Sequence, residues 1–469
     1  MAIFYNEGEI KKRPGVYQRH TNAGNAISAS AQDGICAIPV QANWGPLGKV
    51  VKNASAADLV KNYGSGTYGA GYTVPAAAAM FAGGASIVYT YRMGTGGKAA
   101  TLTVDGLTIT AKHVGTLAIS VAVQAKLGDA TKKLFHVYVG TSLVETFTFD
   151  ADGKAESANL IAAAAGSQYV TITGTATTVS VTAAAGGALT GGENPTVANE
   201  DYSKAFAAME TYYYNTIALD VDDDAGMTLS KLLQEYLANA YTHGKLAMAV
   251  YGQKVDVAFA TRAQNAKAFN DEKGVYLGGG YMAGAEKKDG VLAICYTAGV
   301  IASTPSNQGI VHTVVNGATD LCESLTYEQY EDAIASGMLM LSMSPDGQIW
   351  YDSGITTLVT PSAEQDDGWK KIRRVKTRFE IIDRLDRVLT PKVGKVSADT
   401  DGVADVVQAG QRILDMMVNE GKLMSGASFK EDINNPFSGD SAWFVIQADD
   451  IDSLEKIYLQ YQFRYSQQA

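Results

Sequence analysis

Apolar and polar positions change rhythm repeatedly along this chain. Residues 1–20 have mixed polarity and no helical period, and Pro14 fixes an extended kink within Arg13-Pro14-Gly15-Val16-Tyr17. From Gly34 the pattern becomes an apolar run, Ile35-Cys36-Ala37-Ile38-Pro39-Val40, that predicts a buried strand. A short helix is expected at Ala56–Tyr63 behind Ser55 as its cap. Pro75 opens a second, apolar helix that stops at Gly83-Gly84, and Ser86–Arg92 reads as a strand.

Composition then shifts. Residues 98–192 are rich in Thr, Val, Ala and Gly, and no charged residue occurs between Ser157 and Gly192. Thr101–Val104, Leu107–Thr110, Leu117–Val123, Leu134–Val139, Val144–Phe149, Val170–Ile172 and Val179–Thr182 read as short strands, the spacing of an inserted β-sandwich or barrel. From Tyr202 strands and helices alternate: Asn215–Val221, Thr228–Thr242, Lys245–Tyr251, Val255–Phe269 and Val275–Leu277. That alternation predicts a mostly parallel sheet with helices on both faces. Helices follow at Val291–Ile301, Thr326–Ala335, Lys370–Arg387 and Val403–Gly421, and then strands.

At the far end Ile457, Leu459, Tyr461, Phe463 and Tyr465 alternate with Tyr458, Gln460, Gln462 and Arg464. A period of two predicts a strand with one buried face. A terminal strand needs a partner, because a bare edge invites association. Strands added to neighbouring copies at both ends would make the protein a polymer subunit.

These patterns define a multidomain α/β (α+β) chain. It has an arm (1–20), a first core segment (21–97), an inserted all-β domain (98–193), a second core segment (194–350), a C-terminal domain (351–450) and a closing strand arm (451–469).

The chemistry adds little. At 469 residues with Lys+Arg 38 against Asp+Glu 49, the net charge is 38 − 49 = −11, unlike the basic domains that bind nucleic acid. Cys36, Cys295 and Cys322 are too few for a disulfide framework and read as buried residues of a chain matured in a reducing cytosol. The first ten residues lack the apolar core of a secretory signal, and the apolar stretch Val74–Tyr89 falls short of a bilayer span.

Gly64-Ser65-Gly66-Thr67-Tyr68-Gly69 matches a dinucleotide fingerprint in letters, but it follows a helix and lacks the later acid. Gly278–Ala283 is a looser version with the same defect. Asp220–Gly226 begins like a calcium loop, yet the loop's glycine and terminal Glu are missing. No histidine pair has metal-ligand spacing, and Gly439-Asp440-Ser441 lacks the glycines of a nucleophile turn. The residues therefore point to no catalytic site, no metal site and no cofactor. An enzyme with a doubly wound core and an adhesin acting through the β insert are the competing classes.

One charge run stands out. Lys370, Lys371, Arg373, Arg374, Lys376 and Arg378 open a basic helix in an acidic chain. It reads either as a solvated face or as a docking surface for an acidic patch on another subunit, such as the Asp222–Asp224 loop.

In their order, several segments resemble the sheath proteins of contractile phage tails, particularly those of Gram-positive phages and prophages. These are Arg13 to Tyr17, Trp44-Gly45-Pro46, Ala82 to Tyr89, Ala298 to Pro305, Lys370 to Lys376 and Ile451 to Tyr465. Residues 98–193 match none of the landmarks, and Gly354 to Leu358 departs from the family pattern. The resemblance implies six-fold rings stacked around a tail tube, joined by strand exchange through both arms. It further implies contraction on a baseplate signal, with the tube, baseplate and tail terminator as partners. The protein would then sit in the virion tail after assembly in the host bacterial cytoplasm, with no bound nucleic acid and no membrane insertion. The insert would lie on the outside.

Overall fold

The protein is described from a computed structural model covering residues 3–4, 17–18, 33–69, 71–180, 182, 187–223 and 226–464. A seven-stranded sheet forms the centre. From edge to edge its order is Met338–Leu339, Gly274–Leu277, Met248–Gly252, Thr216–Ala218, Ile35–Val40, Ile87–Arg92 and Val50–Asn53. All neighbours run parallel except the last pair. Ile35–Val40 is buried at every position, as a strand covered on both faces must be.

Helices cover both faces, as the alternation predicts. Helix α1 (Ala56–Tyr63) starts where Ser55 Oγ accepts from Asp58 N at 3.2 Å, and buries Leu59 and Tyr63 one turn apart. Helix α2 (Val74–Ala82) begins with Pro at its first turn. On the other face lie α4 (Asn199–Met209), α5 (Thr228–Thr242), α6 (Phe259–Phe269) and α8 (Tyr327–Ala335), with α3 (Glu156–Ala163) in the insert. Helix α7 (Val291–Ser303), almost wholly buried, packs beside α2.

The α2–α7 contact explains two glycines. A Cβ on Gly299 would sit 2.1 Å from Met80 O, and one on Gly83 would sit 2.1 Å from Tyr296 O. Only residues without a side chain let the two backbones approach this closely.

The insert is two three-stranded antiparallel sheets closed over one core. One contains Thr101–Val104, Leu107–Ala111 and Val170–Gly174; the other contains Ile119–Ala125, Lys132–Val139 and Ser142–Asp150. It is not all β: α3 crosses it, held at its start by Glu156, which accepts from Lys133 Nζ at 2.7 Å and Val179 N at 2.8 Å. Of the strand expected at Val179–Thr182, the described residues show one bridge, Val123 to Thr182. The chain enters and leaves through antiparallel bridges at Thr95–Thr196 and Lys98–Glu193. Trp44, from the core segment, is buried in the insert's own cluster.

The C-terminal unit is built on α9 (Ile372–Leu389), α10 (Thr400–Asn419) and a hairpin of Ser428–Glu431 with Phe444–Gln447. Near the N-terminus, Ile3–Phe4 pairs in parallel with Tyr17–Gln18.

Gly299→Ala should lower stability by about 1–3 kcal/mol through overpacking, although alanine is the better helix former. Chemical denaturation of the purified protein reads this directly. Replacing residues 98–193 by a short Gly-Ser link should leave the core folded, because the bridged ends already lie side by side. Its signature is a red shift of Trp44 fluorescence with one cooperative unfolding transition retained.

Candidate functional site

The basic run occupies the start of α9 and the turn before it, and most of it is engaged by acids of the same chain. Arg374 grips Asp450 in a two-pronged pair, Nε to Oδ2 and Nη2 to Oδ1 at 2.7 Å each. Arg378 bonds Asp366 at 2.9 Å, reaches Asp450 at 3.3 Å, and stacks 4.6 Å from the centre of the Trp369 ring. Arg373 Nη1 donates to Ser453 Oγ at 2.8 Å, and Lys371 pairs with Glu455 and, at 3.8 Å, with Asp452. Lys370 closes on Asp367 at 2.8 Å.

Lys376 does not share that face. It points into the body, donates to Ile301 O and Thr304 O, and burial pulls its ammonium down to about 8. It faces a cleft also lined by Asp33, Glu380 and Asp383.

Residues 450–455 are thus a strap laid across α9. Its root is fixed by backbone pairing: Met424 N donates to Asp449 O at 2.8 Å and Ile451 N to Lys422 O at 3.0 Å. Burial alone would raise the Asp450 carboxyl, but the bonds from Arg374 and Arg378 outweigh it and hold it below the usual carboxylate range.

Past the strap, residues 456–464 have no hydrogen bond or ion pair among the described residues. Ile457 is 71% exposed, Leu459 70%, Tyr461 72% and Phe463 93%. The described part of the expected closing strand has no strand partner among the described residues of the single chain. Residues 451–464 carry no regular structure, and Tyr458 on the alternate face is exposed as well. The reason is physical: one strand has no ladder without a second, and none of the described strands pairs with it. Tyr461 and Phe463 still stack, 6.1 Å apart and nearly parallel, as same-face residues of an extended segment do. Tyr465 lies outside the described residues, as do Arg13, Pro14, Gly15 and Val16; Tyr17 belongs to the short parallel pair.

The acidic loop is partly spoken for. Asp220 is buried, accepts from Thr73 Oγ1 at 2.5 Å and Tyr202 Oη at 2.8 Å, and burial pushes it up to about 6. Asp222 pairs with Lys254 at 2.9 Å, and Asp223 accepts from Ser230 N at 2.7 Å. Gly64 of the glycine-rich segment ends α1, its N–H bonding Val60 O. Among the described residues no group of three or more His, Cys, Asp or Glu is placed to hold a metal ion. No described helix is long and apolar enough to cross a membrane.

Comparison with known proteins assigns this architecture. Residues 196–357 match the family profile of the phage tail sheath protein central domain, beginning where the insert ends. The phage-like element PBSX protein XkdK of Bacillus subtilis is 24% identical, over 97% of this chain and 98% of that one. A sheath tail protein of Desulfitobacterium hafniense shares the fold with a TM-score of 0.71 at 20% identity, over 93% of this chain and 100% of its own. The helical sheath of the anti-feeding prophage in its contracted state matches with a TM-score of 0.54 at 12% identity, over 97% and 99%. Residues 196–357 thus resemble a phage tail sheath central domain, and the fold is that of solved sheath proteins. Together these findings support a contractile sheath subunit.

Sequence reasoning found the basic helix and missed its partners. Asp450, Asp452 and Glu455 form an acidic run just ahead of the terminal alternation, and matching that run to the cations of α9 was the available signal.

Asp450→Asn should loosen the strap by about 1.5–3 kcal/mol, the range for hydrogen bonds to charged groups. Hydrogen exchange at residues 450–455 should then rise by about tenfold or more. Because the native carboxyl is depressed, the strap is fully held at neutral pH and is lost only as pH falls through that lowered value.

Proposed function

We propose that this chain is the structural, non-catalytic subunit of a contractile tail sheath. It polymerises as six-fold rings around a tail tube and shortens to drive the tube through the host envelope. The supporting observation is the combination of a sheath central domain with a C-terminal segment that leaves the body carrying exposed apolar side chains. Burying Ile457, Leu459, Tyr461 and Phe463 on a neighbour would each contribute roughly 1.5–3 kcal/mol.

A receiving surface is available in every copy. In the hairpin Ser428–Glu431 with Phe444–Gln447 the outer edge of the first strand is closed at Phe429 by Gln411 of α10, whereas Phe444–Gln447 has one strand neighbour among the described residues and offers an open edge. An arm strand added there would form a backbone ladder between subunits. The N-terminal arm, with Arg13, Pro14, Gly15, Val16 and Tyr17, is assigned the same role. The cations of α9 serve first to anchor the chain's own arm, leaving residues beyond 456 to reach outward.

Contraction is then a switch between two packings of rigid bodies that stay joined through their arms. The baseplate, the tube and the tail terminator are the other partners, and the insert projects from the outer surface. The virion tail is the site of action, after assembly in the bacterial host's cytoplasm.

Negative-stain electron microscopy across salt concentrations tests this reading. The full chain should give hollow striated tubes, and a chain lacking residues 457–469 should stay a folded monomer. Tubes from the truncated chain would remove the arm from the account. Discrete particles from the full chain, even with a tail tube as template, would overturn the sheath reading.

A further inference from the structure

Charge is distributed unevenly between the two ends of the central sheet. No Lys or Arg occurs between Lys288 and Lys370, a stretch that includes the edge strand Met338–Leu339 and helix α8 beside it. At the opposite end, between Gly34 and Val104, the only acid is Asp58, against Lys49, Lys52, Lys61, Arg92 and Lys98. Asp58 is occupied locally, accepting from Ala54 N at 2.9 Å.

Helix α8 is built to present one face outward. Thr326 and Gln329 cap it reciprocally, and Tyr330 and Ala333 turn inward. The remaining arc exposes Tyr327 (77%) and Ile334 (47%) beside Glu328, Glu331 and Asp332. None of these three acids has an ion pair among the described residues. The far edge is its complement. Lys49 precedes the edge strand Val50–Asn53 and Lys52 lies within it, and Lys61 lies next to Val60, which is 54% exposed, on the outer side of α1. These lysines likewise have no ion pair among the described residues.

We propose that the acidic face of α8 docks on the basic Val50–Asn53 and α1 edge of a second copy. The two patches lie at opposite ends of one sheet. A contact between them is therefore head-to-tail, the kind that closes into a ring when the rotation allows and otherwise continues as a helix. The exposed Tyr327 and Ile334 supply an apolar centre facing Val60, and the charges around them set register and exclude the inverted pairing. This contact rests on the sheath reading and adds to it a lateral, body-to-body surface distinct from the arms.

Zero-length carbodiimide cross-linking of assembled full-length chain, mixed from normal and nitrogen-15-labelled protein, tests the contact. Mixed-isotope peptides joining Glu328, Glu331 or Asp332 to Lys49, Lys52 or Lys61 are expected. Reversing all three acids to Lys should raise the concentration needed for assembly by about tenfold or more, since like charges then face each other. Reversing the three lysines to Glu in the same chain should restore it. Circular dichroism of each variant reports folding, which these exposed positions should not disturb. Tubes that form without such cross-links, or a double reversal that fails to rescue, would overturn this contact and leave the sheath reading standing. A chain that never polymerises and never cross-links would overturn both.

Discussion

Helix α9 belongs to two cores at once, and the rest of the architecture hangs on that sharing. Ile372, Val375 and Phe379 pack into the cluster under the central sheet, whereas Leu385 packs with Ile413, Leu414 and Met417 of the C-terminal unit. Where the helix passes from one core to the other, charges replace apolar contacts. Glu380 takes Lys422 at 2.7 Å and Ser306, while Arg384 bonds Glu420 through two nitrogens at 2.9 and 2.7 Å. Breaking such a buried network by removing one member leaves an unpaired charge, so the two units are held at a fixed angle. Central sheet and arm-bearing unit are thereby one lever.

The same helix organises the strap. Its first turns carry most of the cations that hold residues 450–455, so the arm departs from the junction of the two units and not from the end of the hairpin. Gly368 sits among these groups: a Cβ there would meet the Arg374 and Arg378 guanidinium groups at 2.6 and 2.5 Å. The turn before α9 therefore leaves its space to the ion pairs.

Much of this was legible in the residues. The buried run Ile35–Val40, the Ser55 cap and the Pro75 start each specify their element locally, and the structure keeps all three. The parallel sheet followed from alternation alone. Helix α3 was hidden because its stretch is Ala-rich with little amphipathic contrast, and its start depends on Lys133 and Val179, far away in sequence. The terminal strand finds no partner within the described chain for a different reason. Its period-two pattern is strong, but a pattern states which face wants burial and not which molecule provides it. The basic helix invited a reading as an intermolecular patch because, Asp366 and Asp367 apart, its acidic partners Asp450 and Glu455 lie 72 to 84 residues further on.

The strap also fixes a length. Among the described residues the last anchored one is Glu455, and the segment assigned to a neighbour starts at Ile457, two residues further. Fully extended, two residues span about 7 Å. In the proposed assembly that distance is the slack in the tether: bodies joined this way can shift by only a few ångströms before the joint is pulled taut. Lengthening the segment by two residues would add about 7 Å of travel, so the permitted motion of the proposed assembly is written into a count of residues.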